Sequence, residues 1–143
     1  MNEQKTRELL EEFVQCIHTN NVDGLLDMLH DDFIEEYPQS GERIRGKQNF
    51  QQVYENFQNL PNIKGYNIQV CGNTGILEML LDYPDGGIYN ACEILTFKDD
   101  KIARNTAYFG KPFEAAQWRS EWVEMMGEPT SEKNYDSRPS GRA

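Results

Sequence analysis

The chain has 143 residues, enough for a single two-layer core, and carries 14 Lys+Arg against 24 Asp+Glu for a net charge of −10. So acidic a chain, with no Lys/Arg cluster, lacks the basic footprint that binding to nucleic acid or an anionic membrane needs. Apolar residues make up only 38%, yet 7 Phe, 7 Tyr and 2 Trp supply material for a core and argue against global disorder.

The longest apolar stretches, such as Ile76-Leu77 and Met79-Leu80-Leu81, are far too short to span a bilayer. The start, Met1-Asn2-Glu3-Gln4-Lys5, runs straight into an amphipathic pattern with no apolar signal-peptide region. Cys16, Cys71 and Cys92 are odd in number and make no C-x-x-C. They read as reduced thiols of a cytoplasmic protein, with neither a disulfide frame nor a zinc site. His18 and His30 share no recognised metal-ligand spacing with the acids, and no phosphate loop or nucleophile signature is present, so no metal or cofactor is expected.

In chain order, Leu9, Leu10, Phe13, Val14 and Ile17 mark a first helix that ends at Asn20-Asn21. Val22, Leu25, Leu26 and Leu29 predict a short second helix with Asn21 as its N-cap. Residues 32–37 read as a strand bounded by Pro38 and Gly41. Gly46 opens a third helix, with Phe50, Val53, Tyr54 and Phe57 on one face and Pro61 as its stop. The period then changes to two. Strands around 63–72, 75–83, 88–98 and 101–109 are separated by turn clusters of hairpin length, which predicts an antiparallel meander. Pro112, Phe113, Trp118, Trp122 and Val123 predict a short last helix, with both tryptophans capping the open end of the fold. Residues 128–143 read as a disordered tail after a single domain over 1–127.

This order predicts an α+β fold. A curved antiparallel sheet wraps round three N-terminal helices and leaves a cone-shaped cavity between them, as in cystatin-like α+β barrels.

Three stretches carry a family resemblance: Asn21-Val22-Asp23-Gly24-Leu25-Leu26, Leu29-His30-Asp31-Asp32-Phe33, and Tyr37 through Gly46. A fourth runs from Tyr108 to Arg119. With the element order they make the sequence, over about residues 5–126, similar to the nuclear-transport-factor-two-like superfamily, and within it to SnoaL-like proteins. The resemblance implies a homodimer formed through the sheet, and small-molecule chemistry that varies widely within the superfamily. Where steroid isomerases of this fold carry an oxyanion-stabilising tyrosine, this chain has Phe13; where they carry the proton-abstracting aspartate, it has Tyr37. Neither replacement does the same chemistry, since a phenyl ring donates no hydrogen bond and a phenol of ordinary pKa is a poor base. A third position, a neutral acid on the strand before the last hairpin, matches Glu93. Epoxide hydrolases of the fold place an aspartate after a Tyr-Phe pair, but here Tyr108-Phe109 is followed by Gly110.

Glu93 is therefore the candidate catalytic group: a carboxyl among apolar strand residues is desolvated unless paired, which raises its pKa toward acid/base use. The alternatives are that it faces solvent or pairs with Arg104, since a one-residue slip of register reverses the face. Candidate binding residues are Phe13, Tyr37, Tyr54, Asn105, Trp118 and Trp122, with Asn105 pointing inward by the resemblance and Arg104 outward. Residues 38–43 read as a turn, with Arg43 and Arg45 pairing with Glu35 or Glu36, or as a pocket rim where Gln39 and Ser40 hold a ligand. The expected activity is binding of a hydrophobic cyclic small molecule, with protonated Glu93 transferring a proton or polarising a carbonyl, assisted by Tyr37. The alternative is a non-catalytic dimeric interaction or transport module, which a cone filled by Phe13, Phe33, Tyr54 and Phe57 would favour.

Overall fold

A computed structural model describes residues 2–127; the tail expected over 128–143 lies outside the described residues. Helix α1 (Glu3–His18) starts where the Asn2 side chain accepts from the Lys5 N–H. Its buried face is Leu9, Leu10, Phe13 and Val14, as the 3.6-residue spacing predicts. Helix α2 (Val22–Met28) is capped by Asn21, whose side chain accepts from the Gly24 N–H at 3.0 Å. Strand β1 (Leu29–Tyr37) follows without a break, so Leu29 belongs to the strand and not to the helix. A turn leads into β2 (Glu42–Arg45), then come α3 (Lys47–Asn56) and the meander β3 (Asn62–Cys71), β4 (Thr74–Tyr83), β5 (Gly87–Lys98) and β6 (Lys101–Gly110). The last element is a 3-10 helix over Gln117–Trp122.

The six strands form one curved open sheet in the order β2-β1-β6-β5-β4-β3. All pairings are antiparallel except β1 with β6, which is parallel. That exception follows from the connection: β2, helix α3 and the first three strands of the meander separate the two strands, so no hairpin dictates their sense. The core lies between the sheet's concave face and the helices. Leu77, Met79 and Leu81 of β4 and Leu95 and Phe97 of β5 point into it against Leu10, Phe13 and Leu25.

Two expectations are corrected. Residues 42–45, the first two read as the end of a turn over 38–43 and the others given no element, form a four-residue strand with only Ile44 buried, too short for period two to show. The predicted last helix does not begin at Pro112, and Trp118 and Trp122 do not cap the cone: they stand 76% and 74% exposed. A six-residue 3-10 turn without a side-chain cap bond cannot carry both rings inward.

Candidate active site

The alternation of β1 fixes the centre of the site. Phe33, Glu35 and Tyr37 share a face, and that face is the concave one: Phe33 is fully buried and Glu35 is 7% exposed. Glu36 points the other way, where Arg43 and Arg104 pair with it. On β5, Glu93 follows Ala91 and precedes Leu95 on the inner face, 8% exposed. On β6, Asn105 is 2% exposed and sits directly beside Glu35 across the parallel pairing.

Asn105 joins the two acids. Its Nδ2 donates to Glu35 Oε1 at 2.9 Å and to Glu93 Oε1 at 2.8 Å. The Tyr37 hydroxyl donates to the other oxygen of Glu35. Glu35 thus has two donors and Glu93 one. Burial raises both carboxyls; Glu93, which also feels the charge of Glu35, is pushed up to about 7. With the extra donor, Glu35 takes the negative charge first and Glu93 keeps the proton. Burial, followed by the neighbouring Glu35 charge, pushes the Tyr37 phenol far above its ordinary value, so it stays a donor.

The acids form the polar part of an otherwise apolar cavity of about 130 Å³. Phe13 and Ile17 of α1, Leu25 of α2, and Phe50, Val53, Tyr54 and Phe57 of the α3 region line one side. Met79, Leu81, Tyr83 and Phe109 line the sheet side, next to Glu35, Tyr37 and Glu93. Val53 and Phe57, nearly half exposed, mark the mouth. The cavity is about the size of one that holds benzene, roughly 150 Å³, and below the roughly 300–1,000 Å³ of drug-sized sites.

Of the predicted site residues, the structure brings Phe13, Tyr37, Tyr54 and Glu93 to the cavity and places Asn105 behind the acids as their bridge. Trp118 and Trp122 are not among the lining residues. Glu93 pairs with Asn105 and not with Arg104. Gln39 bonds to the chain itself: its amide accepts from the Phe109 N–H at 2.6 Å and donates to the Phe109 carbonyl, pinning the β1–β2 turn to β6. Glu35 is the residue that sequence reasoning missed as a site group. Its signal was parity, two residues before Tyr37 and two after Phe33, on whichever face those aromatics bury.

The comparisons with known proteins agree with this fold. A family model described as a SnoaL-like domain matches residues 10–105. An NTF-2 like protein of unknown function from Burkholderia xenovorans is 36% identical, over 87% of this chain and 97% of that one, with a TM-score of 0.75. A putative ketosteroid isomerase from Kribbella flavida is 18% identical over 88% and 93%, with a TM-score of 0.81. An epoxide hydrolase from M. tuberculosis is 19% identical over 75% and 84%, with a TM-score of 0.63. Comparison with curated proteins finds no match. No described helix is long and apolar enough to cross a membrane. A sheet curved round three helices is thus shared with NTF2-like proteins of several names, and this chain belongs to the SnoaL-like domain family.

Proposed function

We propose that the protein is an acid/base enzyme acting on a small, largely apolar molecule of about one ring. The observation that carries the reading is the pair of buried carboxyls, bridged by one amide, in the wall of an apolar cavity. Glu35 is the base. Tyr37 and Asn105 each occupy one lone-pair site on its two oxygens, which orients the carboxylate and leaves each oxygen a second site for a substrate proton. Glu93 is the acid: protonated, it donates to a substrate carbonyl while Glu35 removes the proton from the adjacent carbon. In a β,γ-unsaturated ketone the C–H electron pair becomes the new enolate C=C bond as the C=O pair moves onto the oxygen that Glu93 hydrogen-bonds, and Glu35 then returns the proton to the γ-carbon, which gives the conjugated isomer. This keeps the expected role of Glu93 as the protonated acid and adds Glu35 as the base, with Tyr37 assisting through its hydrogen bond to Glu35. The putative ketosteroid isomerase neighbour supports proton transfer of this type, while the cavity's size favours a single ring over a fused ring system.

A non-catalytic module would fill its cone with Phe13, Phe33, Tyr54 and Phe57. Three of these rings instead line open space, and Phe33 packs edge-on against Phe50 at 5.5 Å. We also read the chain as a homodimer formed through the outer sheet face, where Ile76 and Tyr108 are exposed, and as a cytoplasmic protein, a setting that suits its free cysteines.

Hydrogen–deuterium exchange beside the carbonyl of ring-sized ketones, with and without an amino group, tests the catalytic reading by NMR in D₂O. Wild type accelerates exchange of at least one member by about 10²–10⁴-fold, the usual reach of a positioned base, and Glu35→Gln abolishes the acceleration. Exchange no faster than in buffer across the panel, or acceleration that survives Glu35→Gln, overturns it.

A further inference from the structure

We infer that the cavity selects small organic cations, amines of about one ring's size, whose ammonium group is taken between Glu35 and Glu93 while the ring packs on the aromatic wall. The inference rests on the reading of this cavity as the ligand site, and an amine held by both carboxyls takes the place of the proton-transfer substrate, competing with it rather than reacting. Three observations carry it. First, the lining contains two acids and no Lys, Arg or His, so the negative charge the acids hold has no counter-cation in the wall. Arg43 of β2 and Arg104 of β6, on the two strands that flank β1, are committed to Glu36 on the opposite face of the sheet.

Second, the donors present do not exhaust the acids. Asn105 serves one oxygen of Glu93, and the second oxygen receives no hydrogen bond from the described residues although the residue is more than nine-tenths buried and lines the cavity. An ammonium group has three N–H donors and no acceptor, which suits oxygens of two neighbouring carboxyls. Third, Phe13, Phe50, Tyr54, Tyr83 and Phe109 surround the apolar part of the cavity. Their faces carry the negative pole of the ring quadrupole, so the wall favours a cation electrostatically as well as by contact.

Proton linkage gives the inference a sign. The titratable groups beside the acids are the phenols of Tyr37 and Tyr83 and the thiol of Cys92, all raised by burial and neutral near pH 7, so the carboxyl pair alone changes charge there. A cation displaces the proton held on Glu93 and binds more tightly as pH rises. A neutral molecule of the same shape meets a more highly charged wall and binds less tightly.

Isothermal titration of the full chain with cyclohexylamine and with cyclohexanol, at about pH 6 and 8, reads both. Cyclohexylamine stays positively charged over that range. Its affinity is expected to rise about tenfold, the gain from releasing one proton from a group titrating near 7, while that of cyclohexanol falls. Glu35→Gln and Glu93→Gln, checked for folding by circular dichroism, weaken the amine at least tenfold and leave the alcohol bound. Alcohol binding without amine binding overturns the cation selectivity and leaves the ligand site standing. Amine binding that ignores pH and both variants also overturns the selectivity, since it then reports the acidic surface. Binding of neither compound overturns the selectivity and the ligand site together.

Discussion

At the residue scale, the unusual groups are the acids that the apolar wall forces to share a proton. Glu93 stands at about 7 in the folded chain against its ordinary 4.5, chiefly through burial and then through the charge of Glu35. The folded state therefore holds the proton more tightly than the unfolded state does. The stability this supplies is fully present below about pH 4.5 and is lost as pH rises through 7, a loss on the order of 3 kcal/mol. Glu93→Gln keeps the shape and the acceptor for Asn105 without the charge. Its melting temperature should exceed that of wild type by several degrees at about pH 8, and the two should converge near pH 5. A gap that does not change with pH would refute the buried titration. Glu93 was legible in the sequence because an acid in an apolar run is conspicuous, and Asn105 because the family resemblance pointed to it. Glu35 was obscured by its neighbours: beside Glu36 and ahead of two arginines it looks like a surface charge, and only the face assignment of β1 separates the two.

At the element scale, the cone depends on how closely α1 seats on the sheet. Gly75 of β4 is the contact point: a Cβ built there would lie 2.0 Å from Leu10 Cδ1, and Leu10 is itself fully buried. Its backbone is outside the left-handed region, so alanine is excluded by space and not by conformation. Gly75→Ala should destabilise the fold by about 1–3 kcal/mol in urea titration, as overpacking does. In a Leu10→Ala background the same change should cost almost nothing, and a full cost there would show that the contact is not the cause. Helices α1 to α3 and the meander were legible because each is long enough for its period to show. The four residues of β2 were not, nor was the parallel pairing of β1 with β6, which is decided by the path of the whole chain and has no local signature.

At the scale of the whole molecule, what stands out is apolar surface left uncovered. Ile76 and Tyr108 are exposed on the outer face of the sheet, and Phe113, Trp118, Trp122, Met125 and Met126 are between 72% and 86% exposed on the segment after β6. Sequence pattern alone set the tryptophans as a cap on the open end of the cone, because large apolar residues one α-helical turn apart share a face; in a 3-10 helix, with three residues per turn, positions four apart point about 120° away from each other and share none. So many large apolar side chains exceed what a monomer usually leaves open, and in the proposed homodimer a second copy over the sheet face would remove part of this surface from water. The curvature of the sheet sets the site on the concave side and Ile76 and Tyr108 on the convex side, so dimerisation through the sheet and ligand binding should separate by mutation. Light scattering should give the full chain a mass about twice 16.6 kDa at micromolar concentration. Ile76→Glu, which adds a charge at the centre of the outer face, should return it to a monomer that still binds the cavity ligand. A wild-type mass of 16.6 kDa would eliminate the dimer, and an Ile76→Glu chain that remains dimeric would move its interface away from β4.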